Sequence, residues 1–254
     1  MHTEPTTTFF AAALLAAFSL LPLAMSSDQD PQKGRQPDAA VAIPRSDTGG
    51  IAREKELIRR AKESGNAHVV MIGDSITQGW EGEGRSFWAE HFEKLPALNL
   101  GNSGDRTEHV LHRLNEAPIT RLHPKHVVLM IGTNNLGHGS SNADETLQGV
   151  KAIVSKLVEQ CDAQIHVLEI FPRGERINPM RGDIAQINQA LRAFVDEHNK
   201  QAKQGKARLS IHAIGDRFVR ADGTIDAAVM PDFLHLSKDG YRIWGEALLP
   251  LVSK

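Results

Sequence analysis

The sequence predicts a three-layer α/β fold in which helices cover both faces of a parallel sheet of about five strands. Short apolar runs recur along the chain, and segments with apolar residues at i, i+3 and i+4 separate them. Because these runs are apolar throughout, both faces of each strand must be covered. Such coverage is typical of a parallel sheet between two layers of helices.

Five runs have the length and composition of buried strands. They occupy residues 68–73, 97–101, 126–132, 165–171 and 208–214, of which the last is the weakest. Three segments with helical spacing lie between them, at 107–116, 142–161 and 181–204, and a further helical run at 238–252 follows the last strand. Asn142 or Asp144 is a suitable N-cap for the helix of 142–161.

One domain, 51–254, is expected after an N-terminal segment and a linker. Residues 1–25 contain the uncharged apolar run Phe9 to Met25, which resembles the core of a signal peptide and is short for a spanning helix. Residues 26–50 are rich in Asp, Gln, Pro, Gly and Ser, and this composition predicts an unfolded linker. We therefore expect a periplasmic or secreted protein with no stable membrane span after processing; translation from Met25 would leave a cytoplasmic one.

Composition and charge narrow the class of partner. The 254 residues are 41% hydrophobic, which is enough for a packed core, and the single cysteine, Cys161, excludes a disulfide framework. The net charge is -2, and acidic and basic residues are interspersed rather than grouped into a basic patch. Nucleic-acid binding is therefore not expected, and a small molecule is the expected partner.

Polar residues follow the first three predicted strands. Asp74 and Ser75 come after the first strand in "VVMIGDSITQGW", 102–105 after the second, and 133–135 after the third. Parallel sheets bind ligands beyond the C-terminal ends of their strands, so these residues should converge. Ser75 is then either a nucleophile at a strand end or a polar residue in a turn, and its partners decide which.

A serine nucleophile needs a base, an acid that orients the base, and donors for an oxyanion. Asp232 precedes His235 by three residues in "PDFLHLS", a spacing that can place both on one side of a turn but also fits a capping aspartate at a helix N-terminus. Gly104 in "GNSGD" could supply a backbone N–H group and Asn134 in "IGTNN" a side-chain amide. Each alone would also fit ordinary turn chemistry.

Taken together, these segments resemble a known family. The blocks "GDSIT", "NSGDRT", "GTNN" and "DFLHLS" resemble, in this order, the four blocks of the SGNH or GDSL hydrolases, over about 69–252. The longer strings "ALNLGNSGDRTEHVLHRL", "FPRGERINPMR" and "DFLHLSKDGY" are similar to the catalytic subunits of the type Ib platelet-activating factor acetylhydrolases and their bacterial relatives. One departure is Ile76, where the family name has leucine.

The resemblance implies the flavodoxin-like SGNH hydrolase fold and assigns roles to five residues. Ser75 would be the nucleophile, His235 the general base and then acid, and Asp232 its orienting partner. The Ser75 N–H, the Gly104 N–H and the Asn134 side chain would form the oxyanion hole.

The same resemblance favours a serine esterase that removes short acyl groups, acetyl above all, from a carbohydrate or a phospholipid through an acyl-serine intermediate. Lysophospholipase or thioesterase activity is the alternative. A catalytically silent binding domain of the same fold and an envelope-anchored structural protein also stay open, as does a homodimer.

No metal or cofactor is predicted. His109 with His112, and His123 with His126, could supply pairs of ligands, but no carboxylate or cysteine pattern completes either pair. Solvated surface histidines are the more typical explanation.

Two arginines after strand ends are candidates for binding substrate. Arg106 in "GDRT" and Arg173 in "FPRG" could each hold a carboxylate or a phosphate. Each could equally form a structural ion pair with a neighbouring acid such as Asp105 or Glu175.

Four other residues are candidates for contacts with substrate because they flank the catalytic blocks. Asp74 precedes Ser75 in the chain, and Leu136 follows "GTNN". Phe233 and Leu234 stand between Asp232 and His235. We expect the last three, which are bulky and apolar, to restrict the acyl site.

Overall fold

The computed structural model describes residues 1–2, 38–202 and 208–253. The apolar run Phe9 to Met25 and residues 26–37 of the expected linker lie outside the described residues. Within the described ranges, no helix combines the length and the apolar character needed to cross a membrane.

The predicted α/β fold is confirmed. A single sheet has the strand order β2-β1-β3-β4-β5, and all four pairings are parallel. The strands are β1 Val69–Gly73, β2 Ala97–Gly101, β3 His126–Met130, β4 Gln164–Leu168 and β5 Leu209–His212. All residues of β1 and β3 are buried, as their apolar composition requires. This flavodoxin-like order reverses direction between β1 and β3, where such sheets bind ligands.

Eight α-helices are described in the resolved ranges. They are α1 Thr48–Glu63, α2 Ser75–Gln78, α3 Arg85–Phe87, α4 Thr107–Glu116, α5 Thr133–Gly137, α6 Ala143–Gln160, α7 Pro179–Gln201 and α8 Lys238–Val252. Asn142 caps α6 as predicted: its side chain accepts the Glu145 N–H at 2.9 Å, and the Glu145 carboxylate accepts the Asn142 N–H at 3.0 Å.

Two apolar cores enclose the sheet, one on each face. The first core lies between the sheet and α1, α4, α6 and α7, and includes Val127 and Leu129 of β3. The second core includes Val128, Met130 and the fully buried Trp244 of α8. Alternate residues of β3 thus enter opposite cores, which is why its sequence is apolar throughout.

The folded domain begins nearer the N-terminus than the composition suggests. Ala39 is fully buried, and its carbonyl accepts the Thr107 hydroxyl at 2.8 Å. Asp47 caps α1, whose first residue is Thr48, by accepting the Gly50 N–H at 2.7 Å. Residues 38–50 therefore do not behave as a linker. Hydrogen bonds and ion pairs, rather than large apolar side chains, anchor them.

Two of the histidines expected at the surface are buried. The ring of His109 accepts the Arg106 N–H at 3.0 Å. His126 lies on the sheet face of the second core, 3.1 Å from His166, which is in turn 3.2 Å from His212. The three histidines lie on β3, β4 and β5. In the parallel register His166 pairs with Val128, and His212 pairs with Leu168, so each ring is offset by two residues from the previous one and the three form a diagonal row across the strands.

Candidate active site

The loops after β1, β2 and β3 meet at the end of the sheet where the strand order reverses. Ser75 is the first residue of α2, directly after β1. Its neighbour Asp74 caps the helix by accepting the Ile76 N–H at 3.0 Å. The Tyr241 hydroxyl, from α8, donates to the Ile76 carbonyl at 2.7 Å and holds α2 from the second core. Sequence reasoning did not identify Tyr241.

A chain of hydrogen bonds runs from Ser75 to His235 to Asp232. Ser75 Oγ lies 2.9 Å from His235 Nε2, although 160 residues separate the two in the chain. His235 Nδ1 lies 2.6 Å from Asp232 Oδ2. The other carboxylate oxygen accepts the backbone N–H groups of Leu234 at 3.1 Å and His235 at 2.7 Å. The structure thus places the carboxylate and the imidazole on one side of a tight turn.

The ionisation state of Asp232 determines which ring nitrogen of His235 carries the proton. Partial burial opposes the charged form, but hydrogen bonds from the ring and backbone of His235 and from the Leu234 N–H lower the pKa of Asp232. An ionised Asp232 accepts the proton on Nδ1 of His235. Nε2 is then left with a lone pair directed at the Ser75 hydroxyl, which is the geometry for general-base chemistry.

Gly104 and Asn134 lie in the adjoining loops. Gly104 has φ +76°, in the left-handed region that glycine adopts without strain. Asn134 Nδ2 donates to the Asp105 carbonyl at 2.9 Å, and an amide nitrogen with two protons keeps a second one for another acceptor. The Ser103 N–H donates to Gln78 Oε1 at 2.7 Å, which ties the loop after β2 to α2.

A buried ion-pair network holds the loop that carries Gly104. Asp105 is fully buried, and its carboxylate accepts Arg45 Nη1 at 2.9 Å and Arg113 Nη1 at 2.5 Å. Arg45 Nη1 also donates to the Ser103 carbonyl at 2.7 Å. Neither arginine was identified from the sequence. A fully buried carboxylate needs a cationic partner, but the sequence shows neither the burial of Asp105 nor which arginines compensate it.

Arg106 forms a structural ion pair, though not with the expected acid. Its Nε lies 2.5 Å from Oε1 of Glu108, while Asp105 pairs with other arginines. The second oxygen of Glu108 accepts Asn135 Nδ2 at 3.2 Å, and Asn135 Oδ1 accepts the Thr107 N–H at 3.0 Å. These contacts fix the start of α4 against α5, the helix that contains Asn134.

Asp74 lies beneath Ser75 rather than in the cleft. It is fully buried, and Oδ2 has no hydrogen-bond partner among the described residues. Burial, with the nearby charge of Asp105, raises the pKa of Asp74 to about 7. Asp74, considered as a contact for substrate, is thus buried and does not line the cleft at Ser75.

The bulky residues expected around the acyl group are divided between the two cores. Leu136 is buried in the first core, whereas Phe233 and Leu234 are half-buried and pack against the second. Phe233 has φ +57°, which is unusual for a bulky residue, and it lies two residues before His235. The cleft at Ser75 has a volume of about 350 Å³. Its lining residues are Ser75, Gln78, Gly79, Glu81, Gly82 and Ser103.

Arg173 has no carboxylate partner in the described part of the chain. Its Nη1 donates to the carbonyl and to the hydroxyl of Thr133, at 3.3 Å each. Glu175, the acid considered as its partner, instead lies 3.8 Å from Arg176. The structural ion pair considered as the alternative for Arg173 is therefore not formed among the described residues.

Comparison with known sequences connects this geometry to a family. The sequence profile of the GDSL-like lipase/acylhydrolase family matches residues 71–243. Platelet-activating factor acetylhydrolase IB subunit alpha1 of Homo sapiens is 37% identical over 212 residues, which cover 82% of this chain and 86% of the relative. Subunit alpha2 of Rattus norvegicus is 34% identical over 216 residues, with 85% and 88% covered.

Solved structures share the fold at lower sequence identity. A GDSL-like lipase from Bacteroides thetaiotaomicron superposes with a TM-score of 0.64 at 18% identity, covering 80% of this chain and 98% of that one. An acetyl xylan esterase from Geobacillus stearothermophilus superposes with a TM-score of 0.56 at 19% identity, covering 74% and 95%. From its family profile and its curated relatives, this chain belongs to the GDSL-like lipase/acylhydrolase family and is a carboxylic ester hydrolase.

Proposed function

We propose that the enzyme removes short acyl groups, acetyl in particular, through an acyl intermediate on Ser75. One observation carries the catalytic assignment: the continuous hydrogen bonding from Ser75 Oγ through the His235 ring to the Asp232 carboxylate, at 2.9 and 2.6 Å. The hydroxyl of a serine becomes an effective nucleophile only when a base can take its proton, and His235 is positioned for that step.

In the acylation step, Ser75 Oγ bonds to the ester carbonyl carbon while His235 Nε2 takes the hydroxyl proton. The carbonyl oxygen becomes an oxyanion, and the ionised Asp232 stabilises the imidazolium that has formed. When the tetrahedral intermediate collapses, the bond to the alcohol oxygen breaks and His235 gives its proton to that oxygen. A water molecule, deprotonated by His235, then attacks the acyl carbon. The bond from that carbon to Ser75 Oγ breaks, His235 returns the proton to Oγ, and the carboxylic acid leaves.

The oxyanion is assigned to three donors: the N–H groups of Ser75 and Gly104 and the side-chain amide of Asn134. Two observations support this assignment: the left-handed conformation of Gly104, and the second N–H of Asn134, which has no hydrogen-bond partner in the described part of the chain. Donors already fixed by other contacts need no reorganisation during the reaction, which is the usual source of their catalytic effect. The Asn134 bond to Asp105 is such a contact.

Acetyl preference is supported by the place of the bulky, half-buried Phe233 and Leu234 in the turn between Asp232 and His235, from which they can limit the room for an acyl chain. The names of the curated relatives and of one structural neighbour also specify acetyl esters. Those two names suggest different alcohols as the leaving group, one from a phospholipid and one from a carbohydrate, and the proposal includes both. Lysophospholipase or thioesterase activity is the second candidate.

Hydrolysis of p-nitrophenyl esters from acetyl to octanoyl tests the acyl preference. We expect kcat/KM to fall by about tenfold or more from acetyl to hexanoyl, because a restricted acyl site excludes the longer chain. An open apolar groove would give the opposite trend, since each added methylene contributes up to about 0.8 kcal/mol of burial. Activity that rises with chain length would contradict acetyl preference and favour the lipase-like alternative.

Export of the protein is also part of the proposal, and the uncharged apolar run Phe9 to Met25 supports it. Mass spectrometry of the mature N-terminus after expression of the full chain in a bacterial host tests this point. Cleavage after this run supports export, and a retained Met1 would contradict processing.

A further inference from the structure

Arg173 lies against the start of α5, the helix that contains Asn134, and has no acidic partner among the described residues. It lies in the loop after β4, half-buried, and only its Nη1 is hydrogen-bonded, to Thr133 at the start of α5. The Nε and Nη2 groups make no hydrogen bond with the described residues. A guanidinium group has five N–H donors, so most of the donors of Arg173 remain available.

Arg173 is anchored beside a proposed oxyanion donor, because Thr133, which accepts its Nη1, precedes Asn134 in α5. The charges of both Asp74, next to Ser75, and Asp232, next to His235, act on the Arg173 guanidinium. Burial lowers the pKa of Arg173 and those two carboxylates oppose the change, but an arginine remains a cation at neutral pH. Asp232 is itself occupied by three hydrogen bonds from Leu234 and His235.

The surface of α5 is shaped to accept the guanidinium. Gly137 is the last residue of this helix, and a Cβ atom at that position would collide with Arg173 Nη1. The absence of a side chain at 137 therefore allows Arg173 to lie across the exposed end of α5. Any larger residue there would displace it.

The same edge of the site has a positive electrostatic character. His138 follows α5, and its pKa is lowered by partial burial and by the charges of Arg106, Arg173 and Arg45. Arg106 and Arg45 are neutralised by contacts with Glu108, Asp47 and Asp105. Arg173 is the cation of this group that lacks such an acid among the described residues.

We propose that Arg173 binds an anionic group of the substrate, a phosphate or a carboxylate, on the ester hydrolysed at Ser75. The free donors on Nε and Nη2 lie on adjacent atoms of a planar fork, which matches the oxygen spacing of both groups. This inference rests on the proposed function and adds to it a substrate class: esters that carry a negative charge near the scissile bond.

Two matched pairs of acetyl esters test the inference. The phosphate pair is 1-acetylglycerol 3-phosphate and neutral 1-acetylglycerol; the carboxylate pair is 3-acetoxypropionate and neutral 3-acetoxypropionamide. We expect the wild-type enzyme to prefer the anionic member of at least one pair, and which pair identifies the anion. Arg173→Met should lower the ratio of anionic to neutral kcat/KM by about tenfold or more, mainly through KM, and Arg173→Lys should restore part of it.

Arg176→Met is the control, because Arg176 is an exposed arginine of the same loop and should leave both ratios at the wild-type value. Equal losses on the anionic and neutral esters in Arg173→Met would mean that Arg173 only supports Thr133, and would overturn the inference. A wild-type enzyme with no anionic preference would also overturn it.

A protein that hydrolyses no ester of either pair contradicts the proposed function instead. Calorimetric titration of the wild type and of Arg173→Met with inorganic phosphate and with acetate then decides the inference separately. Binding that the substitution abolishes supports an anion site, and absence of binding to the wild type overturns it.

Discussion

Arg45 Nη1 lies 2.9 Å from Asp105 Oδ1, although Arg45 belongs to a segment whose composition predicts an unfolded linker. The same Nη1 donates to the Ser103 carbonyl at 2.7 Å, and Nε and Nη2 bind Asp47. Arg45 thus connects the residues before α1 to the loop that carries Gly104. The carboxylate of Asp105 is fully buried, so its charge depends on Arg45 and Arg113 for compensation.

Replacing Arg45 by methionine should lower kcat by about tenfold or more with little change in KM, because the loop would no longer hold the Gly104 N–H in place for the oxyanion. The midpoint of thermal unfolding should also fall, since one partner of a buried ion pair is removed. Steady-state kinetics with p-nitrophenyl acetate and a thermal melt measure both effects.

Arg59→Met is the matched control for the Arg45 substitution. Arg59 lies on the exposed face of α1, where its ion pairs with Glu56 and Glu63 are solvated and contribute little. Equal kcat values in the two variants would show that Arg45 has no influence on the site.

Asn134→Ala should lower kcat by on the order of 10²–10³ with KM little changed, because the amide is assigned to the oxyanion and not to the ground-state carbonyl. The side chain is nearly buried and also donates to the Asp105 carbonyl, so a melt should accompany the kinetics. A variant with a raised KM and an intact kcat would make Asn134 a substrate-binding residue and leave the oxyanion donor unassigned.

The buried row of histidines predicts a loss of stability in acid. Burial, with the neighbouring His212 and His126, lowers the pKa of His166 to about 4 from its usual 6.5. Between these values the unfolded chain binds more protons than the folded one. The free energy of unfolding therefore decreases as the pH falls from about 6.5 to about 4.

Urea unfolding at about pH 7 and about pH 5 measures this dependence. His166→Gln should lose less stability than the wild type between the two pH values, by about 1–2 kcal/mol, because the titrating group is gone. His91→Gln, a substitution on the helical segment Trp88–Phe92 away from the row, is the control. If His166→Gln and the wild type lose the same stability, the row does not govern acid sensitivity.

Much of the fold could be predicted because the strands are continuous apolar runs. The predicted runs at 97–101 and 126–132 correspond to β2 Ala97–Gly101 and β3 His126–Met130. The short distance from Asp232 to His235 also predicted that one turn could hold both groups. The long-range contact from Ser75 to His235 came from the family resemblance, because no local pattern links residues 160 positions apart.

The polar contacts that the fold buries were not predicted from the sequence. Arg45 lies among Pro, Asp and Ser residues that are typical of linkers, and only its two hydrogen bonds to the 103–105 loop reveal its position. Likewise, the apolar character of strands gives no reason to bury His126 and His166, which depend on the register of neighbouring strands for their contact. Local composition carries little information about such pairings.

The Ser75→Ala variant, assayed with p-nitrophenyl acetate, tests most directly whether Ser75 supplies the attacking oxygen. The substitution removes only the hydroxyl at the start of α2 and leaves the bond from His235 to Asp232, so unfolding should match the wild type. We predict that kcat/KM falls by several decades, as losses of a catalytic-triad residue typically do. A folded variant that keeps more than about a hundredth of the wild-type kcat/KM would contradict the assignment of Ser75 as nucleophile.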